Sequence, residues 1–268
     1  MLKWKINNNV ISELYYNNQN IIKPWGFETA DSSAFFSLEK NVGWRYKKLE
    51  EDYHFTDSKY EATVLTQMKE GKWELSIDEY ILNETIIRKV EAKTLEDSFF
   101  MDFVMRYRFK KNIVEYAKIA DKTIYHNDTN VYYQYPVDNI LLKCKGFDIK
   151  LNILDKIVPE NMEPVMYVRD NYDEWVVHVR MVPRKWDKEV IKICTSWAVT
   201  RPIPQFLSNF LLSFKKIKYE LWYRGERKPF KNWLVRKFLN PAAFGMVKVK
   251  ENTTLKWKVK MEIICDKK

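Results

Sequence analysis

One stretch decides the fold: residues 99–110 read Phe-Phe-Met-Asp-Phe-Val-Met-Arg-Tyr-Arg-Phe-Lys. Large apolar side chains occupy every odd position, whereas cations occupy the last three even positions, Arg106, Arg108 and Lys110. Alternation with a period of two is typical of a β-strand whose two faces meet different surroundings. The stretch therefore predicts one central strand at Phe99–Lys110. Its apolar face lies on a core, and its other face carries Asp102 and the cations.

The same alternation recurs along most of the chain, for example in Trp73–Tyr80, Glu174–Val182 and Leu255–Ile264. We count about a dozen such segments, and no stretch resembles a linker between domains. With 46% hydrophobic residues among 268, the chain can bury a substantial core. The sequence therefore predicts a mostly β protein, a large antiparallel β-sandwich that forms a single domain over residues 1–268.

Asparagine is expected to form many of the turns, because the chain has only six glycines. Clusters at Asn7–Asn9 and Asn17–Asn20 predict turns, since asparagine tolerates the left-handed backbone conformation. Between two alternating runs, Lys69–Lys72 predicts a hairpin in which Gly71 adopts a positive φ.

Three segments carry signals of a position at the edge of a sheet. Leu2–Ile6 and Leu255–Val259 share the pattern Leu-Lys-Trp-Lys followed by an aliphatic residue, and lysines guard exposed strand edges. A proline in Val131–Val137 cannot donate a ladder hydrogen bond, so that strand is also predicted at an edge.

The character of the sequence changes at residues 201–240. Phe206, Phe210 and Phe214 recur every fourth residue, and a second helical pattern begins at Pro229, so two short helices are predicted. This basic segment holds ten Lys and Arg residues against two Glu, a net charge of +8 within a chain total of +10. Such a concentration predicts a patch for an anionic partner. The patch residues are Lys215, Lys216, Arg227, Lys228 and Lys231.

Several classes of chemistry are excluded by what the sequence lacks. No two of the six glycines are close together, which rules out glycine-rich nucleotide loops and the serine-hydrolase elbow. The three cysteines are far apart and form no CxxC pair, so neither a structural zinc site nor a disulfide framework is expected. The histidines show no ligand spacing either. We therefore expect no cofactor and no metal.

The candidate catalytic residues are few, because the chain has only three histidines. We predict His178 or His126 as the base of an acid–base reaction, with a carboxylate such as Asp102 or Asp78 as its partner. The other interpretation is that these side chains serve the structure, so whether the chain is an enzyme stays open.

Arginines and aromatic rings are the candidate ligand-binding groups. Arginine grips carboxylate or phosphate with paired hydrogen bonds, and flat rings stack on sugars. Both groups also have an ordinary interpretation, as a solvated sheet face and as core packing. The predicted ligand-binding residues are Arg106, Arg108, Arg180, Trp73, Trp175 and Tyr133.

Together these features predict a carbohydrate-directed protein that binds or modifies an anionic or phosphorylated sugar. In length and strand pattern the chain resembles the β-super-sandwich of sugar mutarotases, which implies a fold of that type. The alternative is a non-enzymatic module whose basic segment, residues 201–240, binds an anionic membrane surface or nucleic acid. The first residues carry no apolar run of the signal-peptide kind, so we expect a cytoplasmic protein, peripheral to a membrane if the alternative holds. Nothing in the sequence indicates an oligomeric state.

Overall fold

The structure is a computed structural model. It describes residues 1–30, 35–37, 47–100, 102–126, 131–183, 206, 210, 213–214, 225–227 and 247–265.

The described residues form β-strands joined by short turns. The first eleven are β1 (Lys3–Asn7), β2 (Val10–Tyr16), β3 (Gln19–Asn20), β4 (Gly26–Ala30), β5 (Phe35–Ser37), β6 (Lys47–Phe55), β7 (Lys59–Met68), β8 (Gly71–Leu82), β9 (Thr85–Thr94), β10 (Ser98–Phe100) and β11 (Phe103–Lys110). The others are β12 (Val114–Ile119), β13 (Lys122–Tyr125), β14 (Tyr132–Tyr135), β15 (Asn139–Cys144), β16 (Phe147–Ile157), β17 (Met162–Asn171), β18 (Glu174–Pro183), β19 (Gly225–Arg227), β20 (Val247–Val249) and β21 (Thr254–Cys265).

Two large antiparallel sheets dominate the fold. The nine-stranded sheet runs β13-β12-β15-β16-β21-β9-β8-β7-β6, and the seven-stranded sheet runs β19-β14-β17-β18-β11-β4-β5. A three-stranded sheet (β1-β2-β3) and the pair β10-β20 complete the described part. The predicted antiparallel, mostly β architecture is confirmed. The described residues contain 21 strands, more than the dozen expected, because the segment at residues 99–110 is split in two and strands such as β2, β4 and β13 were not predicted.

The two large sheets pack face to face over one hydrophobic core. Trp257 of β21 donates its indole N–H to the main-chain oxygen of Phe103 at 3.3 Å. Trp73 of β8 packs edge-on against Phe103, with ring centroids 5.9 Å apart. Apolar residues at alternate positions of β8, β9, β11, β18 and β21 are buried in this core, which is the sandwich arrangement that period-two patterning predicts.

The stretch at residues 99–110 forms two strands, not one. β10 pairs with β20, whereas β11 pairs with β18 and β4, and Asp102 lies between them. The alternation changes phase at this break: Phe100, an even position, is fully buried and packs on Trp73 with ring centroids 4.5 Å apart. From Phe103 onward the predicted pattern is confirmed, with odd positions in the core.

The asparagine turns are confirmed. Asn8, Asn9, Asn17 and Asn18 all have positive φ. Gly71 does not belong to the positive-φ residues, so the reason predicted for it was wrong. Its small size matters instead, because a Cβ there would lie 2.6 Å from the Ser98 hydroxyl.

Two of the edge assignments are corrected. Leu2–Ile6 does lie mostly in β1, an edge strand, but Leu255–Val259 belongs to β21, which pairs with β16 and β9 in the middle of the nine-stranded sheet. β14 also has neighbours on both sides, β17 and β19, because its proline follows the strand and interrupts no ladder bond. The two predicted late helices fall mainly outside the described residues.

Candidate functional site

The outer side of the seven-stranded sheet carries an unusual layer of buried polar side chains. Alternation puts Arg106 of β11 opposite His178 of β18, and His178 opposite Tyr167 of β17. The odd residues of β11 and β18 point into the core, so these side chains share the other side of the sheet. We call this layer the polar face. Its members are Glu28, Asp102, Arg106, Arg108, Gln134, Tyr167, Glu174, His178 and Arg180.

At the centre of the polar face, one carboxylate lies between a guanidinium and an imidazole. Glu28 of β4 accepts from Arg106, with Oε1 and Nη1 2.5 Å apart, and its Oε2 lies 3.7 Å from Nε2 of His178. The His178 ring packs on Tyr167, with centroids 4.9 Å apart and planes inclined by 30°. Three strands thus fix the orientation of the imidazole.

Beside this group, Arg180 joins two acceptors from other segments. Its Nη2 donates to Oδ2 of Asp102 at 2.5 Å, and its Nη1 donates to Oε1 of Gln134 at 2.9 Å. Asp102 and Arg180 are only 2% and 7% exposed. Asp102 Oδ1, Arg180 Nε and His178 Nε2 are also buried, and none of them has a hydrogen-bond partner among the residues that the structure describes. Buried polar atoms in this state call for a partner such as a bound water or a polar ligand.

Burial shifts the pKa of two of these groups in opposite directions. Desolvation raises the pKa of Asp102 to about 6, although the Arg180 guanidinium acts against the shift. The pKa of His178 is held well below 6.5 by burial and then by the nearby arginines, Arg180 and Arg106 first. The polar face therefore carries both a carboxyl that exchanges its proton near neutral pH and a neutral imidazole, which is a combination suited to acid–base chemistry.

Arg108 lies at one end of the polar face. Its Nε donates to Oε2 of Glu174 at 2.6 Å, and its Nη1 lies 3.4 Å from the main-chain oxygen of Pro24. The structure therefore brings together the three predicted arginines, His178 and Asp102 on one face of the sheet.

The aromatic side chains that were predicted to bind the ligand do not lie on the polar face. Trp73 and Trp175 are 1% and 0% exposed within the hydrophobic core, so neither ring is available for stacking on a sugar. Tyr133 is partly buried against the same core, because it lies next to Val168 on the core side of the sheet. These three residues pack the sandwich, and the ligand-binding role predicted for them does not fit their position.

His126 does not join His178. It follows β13, and its Nδ1 lies 2.7 Å from Oδ1 of the buried Asp170. The His126 ring lies 6.2 Å from the ring of Trp175, a core residue. Trp175 precedes His178 by three positions on β18, which corresponds to roughly 10 Å along the strand. Asp78, the other predicted partner, lies on β8 of the opposite sheet. Of the predicted acid–base residues, the structure groups only His178 and Asp102.

Most of the predicted anion-binding patch lies outside the described residues. Arg227 ends β19, and the other four residues of the patch lie outside the described residues. Among the described residues, no group of three metal-ligating side chains converges, and no helix is long and apolar enough to cross a membrane.

Four members of the polar face were not predicted: Glu28, Gln134, Tyr167 and Glu174. β4 and β14 have five and four residues, too short for alternation to stand out in the sequence. Tyr167 and Glu174 lie in segments expected to be strands, but only the pairing of β17 with β18 shows that they share a face with His178 and Arg108.

No protein-family model and no curated protein matches the sequence. Solved structures do match the fold. An aldose 1-epimerase-like protein from Escherichia coli K12 aligns over 99% of this chain and 96% of its own, with a TM-score of 0.53 and 7% identity. A galactose mutarotase-like protein from Lactobacillus casei aligns over 98% of this chain and 97% of its own, with a TM-score of 0.47 and 8% identity. A galactose mutarotase related enzyme from Lactobacillus acidophilus aligns over 98% and 94%, with a TM-score of 0.46 and 9% identity. On the first of these alignments, the chain has the β-sandwich fold of the aldose 1-epimerase-like protein.

Proposed function

We propose that the polar face of the seven-stranded sheet binds a sugar, and that Asp102 and His178 exchange protons with it. The observation that carries the proposal is the group of buried polar side chains on this face, in which Asp102, Arg180 and His178 each keep one polar atom without a hydrogen-bond partner among the described residues. Sugar hydroxyls both donate and accept hydrogen bonds, so a hydroxyl can serve a carboxylate oxygen and a guanidinium N–H together.

The reaction that suits this arrangement is epimerisation at the anomeric carbon of an aldose. Opening and closing the ring requires a proton to leave the anomeric hydroxyl while the ring oxygen receives one. Asp102, whose pKa is about 6, takes or gives a proton near neutral pH, and the neutral His178 imidazole is the second group. The structural neighbour from Escherichia coli, described as aldose 1-epimerase-like, supports this choice through its fold.

The narrower expectation is that the sugar carries an acid or phosphate group. Its support is the three arginines of the polar face and the net charge of +10. Each of these arginines already pairs with a carboxylate, Arg106 with Glu28, Arg108 with Glu174 and Arg180 with Asp102. Comparing glucose with glucose 6-phosphate tests this expectation directly.

The experiment follows interconversion of the two anomers by NMR exchange spectroscopy or polarimetry, with glucose, galactose and glucose 6-phosphate as substrates. We expect acceleration by the wild-type chain, and a loss of about 100-fold or more in Asp102→Asn, because general acid–base catalysis contributes factors of that size. Asp155→Asn is the matched control, since Asp155 pairs with Lys256 on the nine-stranded sheet. Equal rates for Asp102→Asn and Asp155→Asn would refute the catalytic assignment.

A second candidate function rests on the basic segment. Phe206, Phe210 and Phe214 are exposed to 76%, 61% and 49%. Exposed rings next to many cations are typical of segments that lie on an anionic lipid surface. We propose such binding as the alternative to sugar recognition, with nucleic acid as the competing partner.

Flotation with vesicles that contain phosphatidylserine tests this alternative, and an oligonucleotide of matched charge competes. We expect the Phe206→Ser/Phe210→Ser variant to lose vesicle binding, and neutralising Lys215, Lys216, Arg227, Lys228 and Lys231 to do the same. Binding to the oligonucleotide alone would assign the segment to nucleic acid. Binding unchanged by either set of substitutions would show that the basic segment is not the binding surface.

A further inference from the structure

Glu28 differs from the other carboxylates of the polar face because its two oxygens have different kinds of neighbour. Oε1 accepts from Nη1 of Arg106 at 2.5 Å, whereas Oε2 lies 3.7 Å from Nε2 of His178. Arginine can only donate hydrogen bonds, so Arg106 takes one oxygen and leaves the other facing the imidazole. The Glu28 side chain is only 9% exposed, so little water competes for that oxygen.

His178 meets this oxygen as a neutral ring. Burial, followed by the positive charges of Arg180, Arg106, Arg169 and Arg108, holds the pKa of His178 well below 6.5. A neutral imidazole carries one proton, which lies on either Nδ1 or Nε2, and the other nitrogen keeps a lone pair. The groups that face the ring decide which of these two tautomers is present.

The position of Glu28 favours one tautomer over the other. A lone pair on Nε2 of His178 would face a carboxylate oxygen at 3.7 Å, and two acceptors so placed repel each other. A proton on Nε2 is attracted by the same oxygen, although the separation is longer than that of a normal hydrogen bond. The ring of Tyr167 packs on the imidazole with centroids 4.9 Å apart, which restricts rotation of His178 away from Glu28.

From this arrangement we propose that Glu28 is a positioning residue, which holds the proton of neutral His178 on Nε2 and leaves the lone pair on Nδ1. This assignment concerns the free chain and needs no sugar. Its consequence for catalysis rests on the proposed function. There, Nδ1 of His178 takes the proton of the anomeric hydroxyl and protonated Asp102 gives its proton to the ring oxygen, while the bond between the anomeric carbon and the ring oxygen breaks and a carbonyl forms. Ring closure returns both protons.

The test is the tautomer of His178 in the full chain at neutral pH. Long-range ¹H–¹⁵N NMR correlations within the imidazole rings give the readout, and only three histidines have to be assigned. We expect the wild-type chain to show His178 protonated on Nε2. A wild-type His178 protonated on Nδ1 overturns the proposal, whether or not any sugar is turned over.

Glu28→Gln should reverse this result. The amide keeps the shape of the carboxylate, and Arg106 is expected to take the amide oxygen, because an arginine cannot accept from the NH₂ group. The NH₂ group then faces Nε2 as a donor, so the proton of His178 should move to Nδ1. A folded Glu28→Gln chain that keeps the wild-type tautomer contradicts the role assigned to Glu28. If this variant does not fold, the wild-type measurement still decides.

Glu174→Gln is the matched control for the tautomer. It removes the carboxylate that binds Arg108 on the same face, and Glu174 forms no ion pair with His178 among the described residues. We expect His178 to stay protonated on Nε2 in this variant. A change of tautomer in both variants would mean that the total charge of the polar face, and not the position of Glu28, sets the proton.

Turnover distinguishes this inference from the proposed function. If the wild-type chain interconverts anomers, Glu28→Gln should lower kcat by about 100-fold or more, because a base with its proton on the wrong nitrogen cannot accept another there. Unchanged kcat together with a changed tautomer would refute Nδ1 as the accepting atom. A wild-type chain without turnover, but with His178 protonated on Nε2, would refute the sugar chemistry and leave the role of Glu28 intact.

Discussion

Two buried arginine–carboxylate pairs lie on opposite sides of β11. On the core side, Nε of Arg88 lies 3.0 Å from Oε2 of Glu79, and both residues come from the nine-stranded sheet. On the polar face, Nη2 of Arg180 lies 2.5 Å from Oδ2 of Asp102. The two pairs have the same chemistry and nearly the same burial, so their difference must come from their surroundings.

Aromatic rings surround the core pair. The Arg88 guanidinium lies 4.8 Å from the ring of Trp25, 5.4 Å from that of Phe27 and 4.5 Å from that of Tyr107. Its Nη1 also donates to the main-chain oxygen of Arg106 at 2.9 Å. Arg88 therefore ties the two sheets together directly beneath the polar face.

The surroundings of the Arg180 pair are polar instead. Among the described residues, the ring of Tyr167 lies 5.9 Å from the guanidinium, and no described group hydrogen-bonds to Asp102 Oδ1 or Arg180 Nε. Burial alone therefore does not mark a functional pair. Unused polar atoms do not mark one either, because Arg88 Nε and Nη2 also have no hydrogen-bond partner among the described residues. The two pairs differ in what surrounds them: aromatic rings enclose the core pair, whereas polar side chains surround the Arg180 pair.

Loss of Arg88 should give the largest effect. Burial raises the pKa of Glu79 by desolvation, and the Arg88 cation acts against this shift. Arg88→Met therefore leaves the buried Glu79 without the cation that offsets its desolvation. Breaking one partner of a buried pair costs about 3–5 kcal/mol. We expect the free energy of unfolding, measured by urea denaturation, to fall by about that amount.

A double variant distinguishes lost pairing from lost packing. Arg88→Met/Glu79→Leu removes both charges, and apolar replacements of buried pairs are often neutral. We expect it to recover most of the stability lost in Arg88→Met. A double variant that is as unstable as the single one would mean that the surrounding rings of Trp25, Phe27 and Tyr107 pack properly only against the guanidinium itself.

Asp102→Asn should change how stability depends on pH. The folded-state pKa of Asp102 is raised from 3.8 to about 6, so proton binding favours the folded state. This contribution is complete below pH 3.8 and is lost as the pH rises through 6, a change of about 3 kcal/mol over about two pKa units. The variant lacks this loss. Unfolding free energies at pH 4 and pH 7 should therefore show a smaller difference in Asp102→Asn, and an unchanged difference would contradict the raised pKa.

Sequence alternation could predict one half of this comparison but not the other. The period-two pattern of β11 correctly places Met105 in the core and Arg106 on the polar face. At Arg88 and Glu79 the phase of the alternation conflicts with the residue type: their phase is that of the buried Ile86 and Ile77, but a charged residue on a strand is assigned to the solvent side. The facing aromatic rings, which come from β4, β11 and the segment before β4, show that the phase is right and that these charges point inward.

The site was beyond sequence reasoning for a related reason. Its ion pairs join strands that are distant in the chain: Asp102 and Arg180 are 78 residues apart. Histidine, arginine and aspartate can be recognised as reactive types, and His178, Arg180 and Asp102 were selected on that basis. Which of them meet depends on the strand order β14-β17-β18-β11-β4, and alternation within a single strand carries no information about that order.

Arg180→Lys tests whether the polar-face pair serves binding more than stability. Lysine keeps the charge near Asp102 but loses the planar fork that reaches both Asp102 and Gln134. We expect sugar affinity, measured by calorimetry, to fall about tenfold, equivalent to about 1.4 kcal/mol. The unfolding free energy should change by less in Arg180→Lys than in Arg88→Lys, because the three rings around Arg88 also favour a planar cation. A larger stability loss in Arg180→Lys than in Arg88→Lys would reverse the roles assigned to the two pairs.

The smallest effect is expected at the end of the polar face, where Arg108 binds Glu174. The side chain of Arg108 is 18% exposed, so water screens this pair more than the Arg180 pair. A double-mutant cycle with Arg108→Gln and Glu174→Gln should give a coupling of about 1 kcal/mol or less, and added salt should weaken it. The same cycle on Arg180 and Asp102 should give a larger coupling that salt affects little, because both partners are buried. If the two cycles gave equal couplings with equal salt dependence, burial would not distinguish the pairs, and the polar face would behave as an ordinary charged surface.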